Sequence, residues 1–155
     1  MYVQTVEESA KTVEDFAIGS KAYCSRDITI LQAAERIAEL DVNALAVVEG
    51  DGSIAGIVTD HDIIRVIVKS GGQLHDTTVE GCMSVPAITC EESVKLSDTL
   101  KLMGKHRIRH LVVVRNDAFV RVLTIKELLE RLHRDDGLEA NVLREMAFGK
   151  LVEAS

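Results

Sequence analysis

The stretch GIVTDHD, residues 56–62, decides the fold, because a related stretch, RVLTIKE, occurs again at residues 121–127. In both stretches a short apolar run typical of a β-strand ends at a threonine, and a helical pattern follows. The glycine of the first copy has become Arg121 in the second, and the final aspartate has become Glu127. The sequence therefore contains an imperfect repeat whose copies differ at residue types that carry chemistry.

The repeat extends over most of the chain. Aligning the chain with itself places TVEDF (12–16) on TVEGC (78–82), and the match continues without a gap as far as Asp51 and Asp117. The second copy then lacks one residue in the next turn, after which Thr59 aligns with Thr124. The length of this repeat exceeds the roughly 20 to 50 residues of solenoid repeats, which also occur in arrays of more than two copies. The sequence thus predicts two pseudo-symmetric halves.

Each half predicts the same order of elements, β-α-β-β-α. The first helix of each half has apolar residues at spacings of three and four, and its candidate N-caps are Asp27 or Thr29 in the first half and Ser93 in the second. Runs such as LAVV and LVVV are apolar on both faces, which predicts strands that are covered on both sides. The predicted strands are AYCS (22–25), ALAVVE (44–49), IAGIVT (54–59), AITC (87–90), LVVVR (111–115) and FVRVLT (119–124).

The expected fold class is α+β, with two pseudo-symmetric β-α-β-β-α subdomains packed sheet to sheet as one module. A single half of this size buries too little surface to be stable alone, which is why the halves are expected to share a core. In the C-terminal tail, apolar residues at helical spacing predict an amphipathic helix over residues 136–151. The predicted division is an N-terminal extension (1–11), a first repeat (12–69), a linker (70–77), a second repeat (78–133) and the C-terminal tail (134–155).

Composition and cysteine usage exclude several classes of protein. The formal net charge is -7, so a general attraction to nucleic acid, which needs an excess of Lys and Arg, is not expected. No apolar run approaches the roughly 18 to 20 residues that cross a bilayer, and the acidic N-terminus lacks the order of a secretory signal. A cytoplasmic protein without a membrane partner is therefore expected. Cys24, Cys82 and Cys90 contain no CxxC pair, and we interpret them as ordinary packed thiols.

The repeat resembles the CBS (cystathionine β-synthase) domain pair, also called a Bateman module, over about residues 12–133. The resemblance rests on the tandem order of elements, on GIVTDHDIIRVI (56–67) against the family pattern Gly-hydrophobic-x-Ser/Thr-x-x-Asp, and on HRIRHLVVV (106–114) at the second-strand entry. It implies a stand-alone regulatory module, not an enzyme, without a catalytic cofactor. The implied ligand is an adenosine-containing molecule (AMP, ADP, ATP, S-adenosylmethionine or NADH) in a cleft between the copies. The implied assembly is a homodimer that signals to an unidentified protein partner.

One cleft keeps residue types that suit a nucleotide. Gly56 lets the backbone approach a ligand closely. Thr59 lies where a strand ends and a helix begins, so its hydroxyl and the nearby free amides can meet a phosphate. Asp62, about one turn further on, can accept hydrogen bonds from both ribose hydroxyls.

By resemblance, the other half of this site comes from the second copy. Ala87 and Ile108 would line an apolar slot for the adenine, and Arg109 and His110 match a basic pair that some family members turn toward phosphates. A guanidinium group binds phosphate oxygens through charge-assisted hydrogen bonds, which are stronger than neutral ones. The predicted nucleotide-binding residues are Gly56, Ile57, Thr59, Asp62, Ala87, Ile108, Arg109 and His110; no catalytic or metal-binding residue is predicted.

The symmetry-related site would combine Thr124 and Glu127 with Asn43 and Ala44. It lacks the glycine, the shorter carboxylate and both basic groups, and Arg121 is expected to fill it. The sequence therefore predicts one intact and one degenerate site.

Other interpretations of the same residues stay open at this point. Asp62 is also typical of a solvated first helical turn, which the helix dipole favours, and His110 of a packed histidine at a strand entry. Asp60, His61 and Asp62 point in different directions on a helix, which disfavours a metal site. Two alternatives remain for the whole protein: a scaffold or dimerisation module with an empty cleft, and a thiol- or metal-responsive regulator that uses the three cysteines.

Overall fold

The computed structural model describes residues 21–74 and 76–133, and these contain the predicted β-α-β-β-α order twice. The first copy consists of β1 (Tyr23–Cys24), α1 (Ile30–Leu40), β2 (Ala44–Val48), β3 (Ile54–Thr59) and α2 (Asp60–Ser70). The second consists of β4 (Thr89–Glu91), α3 (Leu96–His106), β5 (His110–Arg115), β6 (Ala118–Thr124) and α4 (Ile125–His133). The predicted pair of α+β halves is therefore confirmed. The N-terminal extension and the predicted helix over residues 136–151 lie outside the described residues.

Each copy forms a three-stranded sheet with its third strand at one edge. β1 pairs in parallel with β2, and β2 pairs antiparallel with β3; β4, β5 and β6 repeat this arrangement. The parallel pairs need a crossover, which α1 and α3 provide. The antiparallel pairs shift register at equivalent places, between Val47 and Val48 and between Val113 and Val114. The repeat thus extends to the irregularities of the backbone.

The helix starts confirm one predicted cap and contradict another. Thr29 is the N-cap of α1, because Gln32 N donates to Thr29 Oγ1 at 3.1 Å and Thr29 N donates to Gln32 Oε1 at 2.9 Å. This reciprocal pair is a capping box, and it selects Thr29 over Asp27. The prediction of Ser93 as the cap of α3 is wrong. The N-cap there is Lys95, whose side chain makes no capping hydrogen bond, because the helix begins further along the chain.

The two sheets pack face to face, and their central strands are buried on both faces. On β5, Val112 and Val114 belong to a core cluster that contains the strands of the first copy. Leu111 and Val113, which alternate with them, pack instead in a cluster with side chains of α3 and α4, such as Met103. Sheet-to-sheet packing and strands covered on both sides are therefore confirmed. Within residues 21–74 and 76–133, no helix combines the length and apolar character needed to cross a bilayer.

The chain between the copies returns along the first copy. After α2 it turns through two glycines with positive φ, Gly71 and Gly72. It then lies against the residues before α1, where Ile30 N donates to the Thr77 carbonyl at 3.0 Å. Val79, in the short 3-10 helix that follows, is fully buried in the core of the first copy. The segment before β4 is thus bound to the first copy although it leads into the second.

Candidate functional site

The two strand-to-helix junctions that the sequence marks as candidate sites have the same local structure. Asp62 N donates to Thr59 Oγ1 at 3.2 Å, and Thr59 N donates to Asp62 Oδ2 at 2.9 Å. In the second copy Glu127 N donates to Thr124 Oγ1 at 3.1 Å, and Thr124 N donates to Glu127 Oε2 at 2.8 Å. Both junctions are capping boxes that satisfy free amides at a helix N-terminus. The longer glutamate therefore forms the same box as the aspartate.

Each box leaves one carboxylate oxygen for another partner. The hydrogen bonds found among the described residues use Oδ2 of Asp62 and Oε2 of Glu127 and leave the second oxygen of each carboxylate unused. Both residues are half-buried. A carboxylate fixed through one oxygen can accept hydrogen bonds from hydroxyl groups with the other. The acceptor chemistry that the sequence analysis assigned to the first copy is thus present at both junctions.

Gly56 has a different role from the one predicted. A Cβ at this position would lie 2.7 Å from the Ser84 carbonyl oxygen and 3.2 Å from Met83 Sδ. Ser84 N donates to the Ile57 carbonyl at 2.8 Å, and Ile57 N donates to the Ser84 carbonyl at 3.1 Å, so this segment extends the edge of the first sheet. The close approach that requires glycine is therefore made by the chain itself, which corrects the predicted approach of a ligand at Gly56.

The prediction that Arg121 fills the second cleft is also wrong. Arg121 pairs with Val113 on β5, as Gly56 pairs with Val47 on β2. Its neighbour Val122 lines the cleft, and successive residues of a strand point to opposite faces. The Arg121 side chain is therefore buried on the helix side of the sheet.

A cavity of about 210 Å³ lies between the copies at the second junction. Its walls bring together the four residues that the sequence analysis combined for this site, Thr124 and Glu127 from the second copy and Asn43 and Ala44 from the first. The cleft is open because Arg121 does not enter it. The lining residues are Ala22, Leu40, Asp41, Val42, Asn43, Ala44, Val122, Thr124, Lys126, Glu127 and Glu130.

Sequence reasoning missed the charged residues of this cleft. Asp41, Lys126 and Glu130 lie in its walls together with Glu127, so three carboxylates face one ammonium group. The alignment of the two copies contained a signal for them, because it relates each to a residue around the first junction. A comparison of the charges at each aligned position of the two copies would have identified these residues.

At the first junction the structure places His110 of the second copy near the start of α2. Burial lowers the pKa of His110 below its usual value, and this outweighs the opposing influence of the Asp60 and Asp62 carboxylates, while Arg109 lowers the pKa further. Both carboxylates lie close enough to His110 to act on its pKa, and a shared ligand site formed by Asp62 and His110 stays a prediction. The lowered pKa disfavours the charged form of His110, so Arg109 is the permanent positive charge of the predicted basic pair.

The other predicted residues of the first site lie around this junction. Ile57 and Ala87 are half-buried against the core cluster that contains the first copy. Ile108 is half-buried against the core of the second copy. The Arg109 side chain is exposed, and its carbonyl accepts a hydrogen bond from Ile125 N at 2.8 Å. The apolar adenine slot between Ala87 and Ile108 stays a prediction.

The cysteines have the character of packed thiols. Cys24 and Cys90 are buried, Cys82 is half-buried, and all three are free. Burial is the main cause that raises the pKa of each thiol to about 11. Thiols with so high a pKa are poor nucleophiles at neutral pH. In the part of the chain that the structure describes, no group of three or more His, Cys, Asp or Glu side chains is placed to hold a metal ion.

Comparisons with known proteins agree with this architecture. The sequence pattern of the CBS domain matches residues 13–69 and 79–134. The CBS domain-containing protein YhcV of Bacillus subtilis is 30% identical over 117 residues, which are 76% of this chain and 82% of that protein. The mitochondrial CBS domain-containing protein CBSX3 of Arabidopsis thaliana is 27% identical over 139 residues, 85% of this chain and 68% of that protein.

Solved structures show the same fold. A protein with CBS domains from Burkholderia ambifaria superposes with a TM-score of 0.71 at 29% identity and covers 83% of this chain and 95% of its own. The CBS domain pair of protein MJ0100, in complex with 5′-methylthioadenosine and S-adenosyl-L-methionine, has a TM-score of 0.67 at 27% identity and covers 79% of this chain and 99% of its own. The repeat, the two sheets and these matches agree, and the chain belongs to the CBS domain family, with one domain in each half.

Proposed function

We propose that the protein is a regulatory module that binds an adenosine-containing ligand in a cleft between its two CBS domains. The observation that carries this proposal is the repeated junction, where a carboxylate fixed by a capping box faces residues of the other domain. The complex of the similar MJ0100 domain pair with 5′-methylthioadenosine and S-adenosyl-L-methionine supports the same ligand class.

The proposed binding mode follows from the chemistry of the first junction. The unused oxygen of Asp62 accepts from the ribose hydroxyls, and the Thr59 end of α2 supports the sugar or a phosphate. Arg109 supplies the positive charge for a phosphate, and Ala87 and Ile108 enclose the adenine. A phosphate near His110 would raise the pKa of this residue from its lowered value, because a close anion favours the charged form.

The proposed output is regulation through assembly. One face of α2 exposes Ile64, Ile67 and Val68, with exposed fractions of 54%, 40% and 75%. Apolar side chains grouped in this way favour burial against another surface. We therefore expect a homodimer that covers this face, with ligand occupancy passed to the dimer or to a protein partner, and the cytoplasm stays the expected compartment.

The proposal is tested by thermal unfolding with AMP, ADP, ATP, S-adenosylmethionine and NADH. A ligand at about 100 times its dissociation constant adds roughly 2.7 kcal/mol to the free energy of unfolding. For a chain of this size the midpoint then rises by roughly 5 to 10 °C. The double variant Asp62→Asn/Glu127→Gln should lose this rise and still keep both caps, because an amide oxygen can accept from the threonine N–H. If no adenosine ligand raises the midpoint, the protein is a scaffold with empty clefts.

A further inference from the structure

The two clefts carry opposite charge, and we propose that they sort adenosine ligands by charge. The first cleft, at Thr59 and Asp62, takes an anionic, phosphorylated adenosine. The second, at Thr124 and Glu127, takes a neutral or cationic adenosine derivative. This inference rests on the proposed function and names the ligand class of each site.

The repeat relates the walls of the two clefts residue by residue. Asp41, which lines the second cleft, aligns with Arg107, and both residues end their helices in the left-handed conformation, with φ of 54° and 53°. Glu130, on the opposite wall, aligns with Arg65. Two carboxylates of the second cleft are thus replaced by two guanidinium groups at equivalent positions of the first.

The remaining charged positions do not cancel this difference. In the second cleft Lys126 opposes three carboxylates, Asp41, Glu127 and Glu130, which leaves a formal charge of -2. At the positions of the first junction that align with the lining of the second cleft, the repeat places Arg65, Arg107, Arg109 and Asp62. With Asp60, the first residue of α2, these residues together leave one positive charge. The clefts therefore differ by three units of formal charge on the same backbone framework.

Charge and size act together in the second cleft. A triphosphate would bring several negative charges toward three carboxylates. One unfavourable pair several Å apart near a protein surface reduces affinity by roughly tenfold. The cavity of about 210 Å³ is also smaller than most small-molecule sites, which measure roughly 300 to 1,000 Å³. Both properties favour a nucleoside without phosphates, such as a thioether or sulfonium derivative of adenosine.

The experiment is titration calorimetry with two probes, ATP and 5′-methylthioadenosine, each alone and each in the presence of the other. We expect one site for each probe and no competition between them. Asp62→Asn should abolish ATP binding and keep 5′-methylthioadenosine binding, and Glu127→Gln should do the reverse. The affinity for ATP should fall as salt is added, whereas that for the uncharged thioether should not change.

A charge exchange in the second cleft tests the cause directly. Asp41→Arg/Glu130→Arg gives the second cleft the two arginines that occupy the aligned positions of the first cleft. We expect a second ATP to bind there with an affinity at least about tenfold above that of the unmodified second cleft. The matched control is Glu35→Arg/Glu39→Arg, which changes the net charge equally at exposed positions of α1 outside the cleft. The control should bind a single ATP.

Two results would overturn the inference in distinguishable ways. If ATP and 5′-methylthioadenosine compete for one cleft, or if the charge exchange does not change ATP stoichiometry or affinity, the clefts do not sort ligands by charge, and the proposed function stands. If neither probe binds and no adenosine ligand raises the unfolding midpoint, the proposed function itself fails, and this inference fails with it.

Discussion

Replacing Gly56 by alanine should destabilise the protein, because the space beside this glycine is taken by the chain that leads into the second domain. The added Cβ would lie 2.7 Å from the Ser84 carbonyl oxygen, a backbone atom that cannot rotate away as the end of a side chain could. Relief of this contact requires the segment around Ser84 to move away from β3. Its two hydrogen bonds with Ile57, at 2.8 and 3.1 Å, then lengthen or break.

The size of the effect follows from these two hydrogen bonds. Each contributes roughly 0.5 to 1.5 kcal/mol to the free energy of unfolding. The lower entropy of alanine in the unfolded chain offsets roughly 0.4 to 1 kcal/mol. A net loss of about 1 to 2 kcal/mol results, and it should lower the unfolding midpoint by roughly 2 to 8 °C.

The assay is urea unfolding combined with hydrogen exchange at the Ser84 amide. Gly81→Ala is the matched control, because this exposed glycine lies in the same segment, a Cβ added to it would meet no atom within 4 Å, and its φ is not positive. The control should keep the stability of the parent protein, and Gly56→Ala should also exchange the Ser84 amide faster. Equal stability of the two variants, with equal exchange at Ser84, would refute the packing argument.

Three further predictions concern side chains around the clefts. The pKa of His110 is lower in the folded than in the unfolded state, so the unfolded state binds more protons as the pH falls below about 6.5. The free energy of unfolding should therefore decrease below this pH, and the decrease should be smaller in His110→Asn. Urea unfolding between about pH 8 and 5 measures both. Arg121→Met should stabilise the protein by about 1 kcal/mol, since Nε and Nη1 of Arg121 are buried without a hydrogen-bond partner among the described residues; a lower unfolding midpoint would contradict this. Thr59→Val and Thr124→Val should each cost about 1 kcal/mol in chemical denaturation, because each removes one acceptor of a capping box; unequal losses would show that the two boxes differ.

The repeat made most of the fold predictable. The alignment of the two copies transfers each element of one half to the other, so a weak pattern in one copy is supported by the stronger pattern of the other. Local chemistry then fixed details such as the Thr29 cap, whose partner Gln32 lies within the first turn of the same helix. The prediction of Ser93 as a cap was wrong because a serine before an apolar helix indicates a cap only when the helix begins directly after it.

The reason for Gly56 was beyond the sequence because it is a long-range contact. The clash partner, Ser84, lies on a segment whose path over β3 is determined by the buried position of Val79 and by the linker. No local pattern describes that path. The orientation of Arg121, in contrast, follows from strand alternation: Thr124 and Val122 lie on the cleft side, so Arg121 belongs to the other side.

The geometry also connects the two clefts to each other. Asn43 lines the second cleft, and its carbonyl accepts from Asp60 N at 2.9 Å, while its side-chain Nδ2 donates to Asp60 Oδ2 at 3.0 Å. Asp60 in turn acts on His110 at the first junction. On the other side of the module, the carbonyl of Arg109 accepts from the N–H of Ile125, the first residue of α4. Each cleft is thus hydrogen-bonded to the helix start of the other. If ligands at the two clefts change each other's affinity, linkage requires the factor to be the same in both directions.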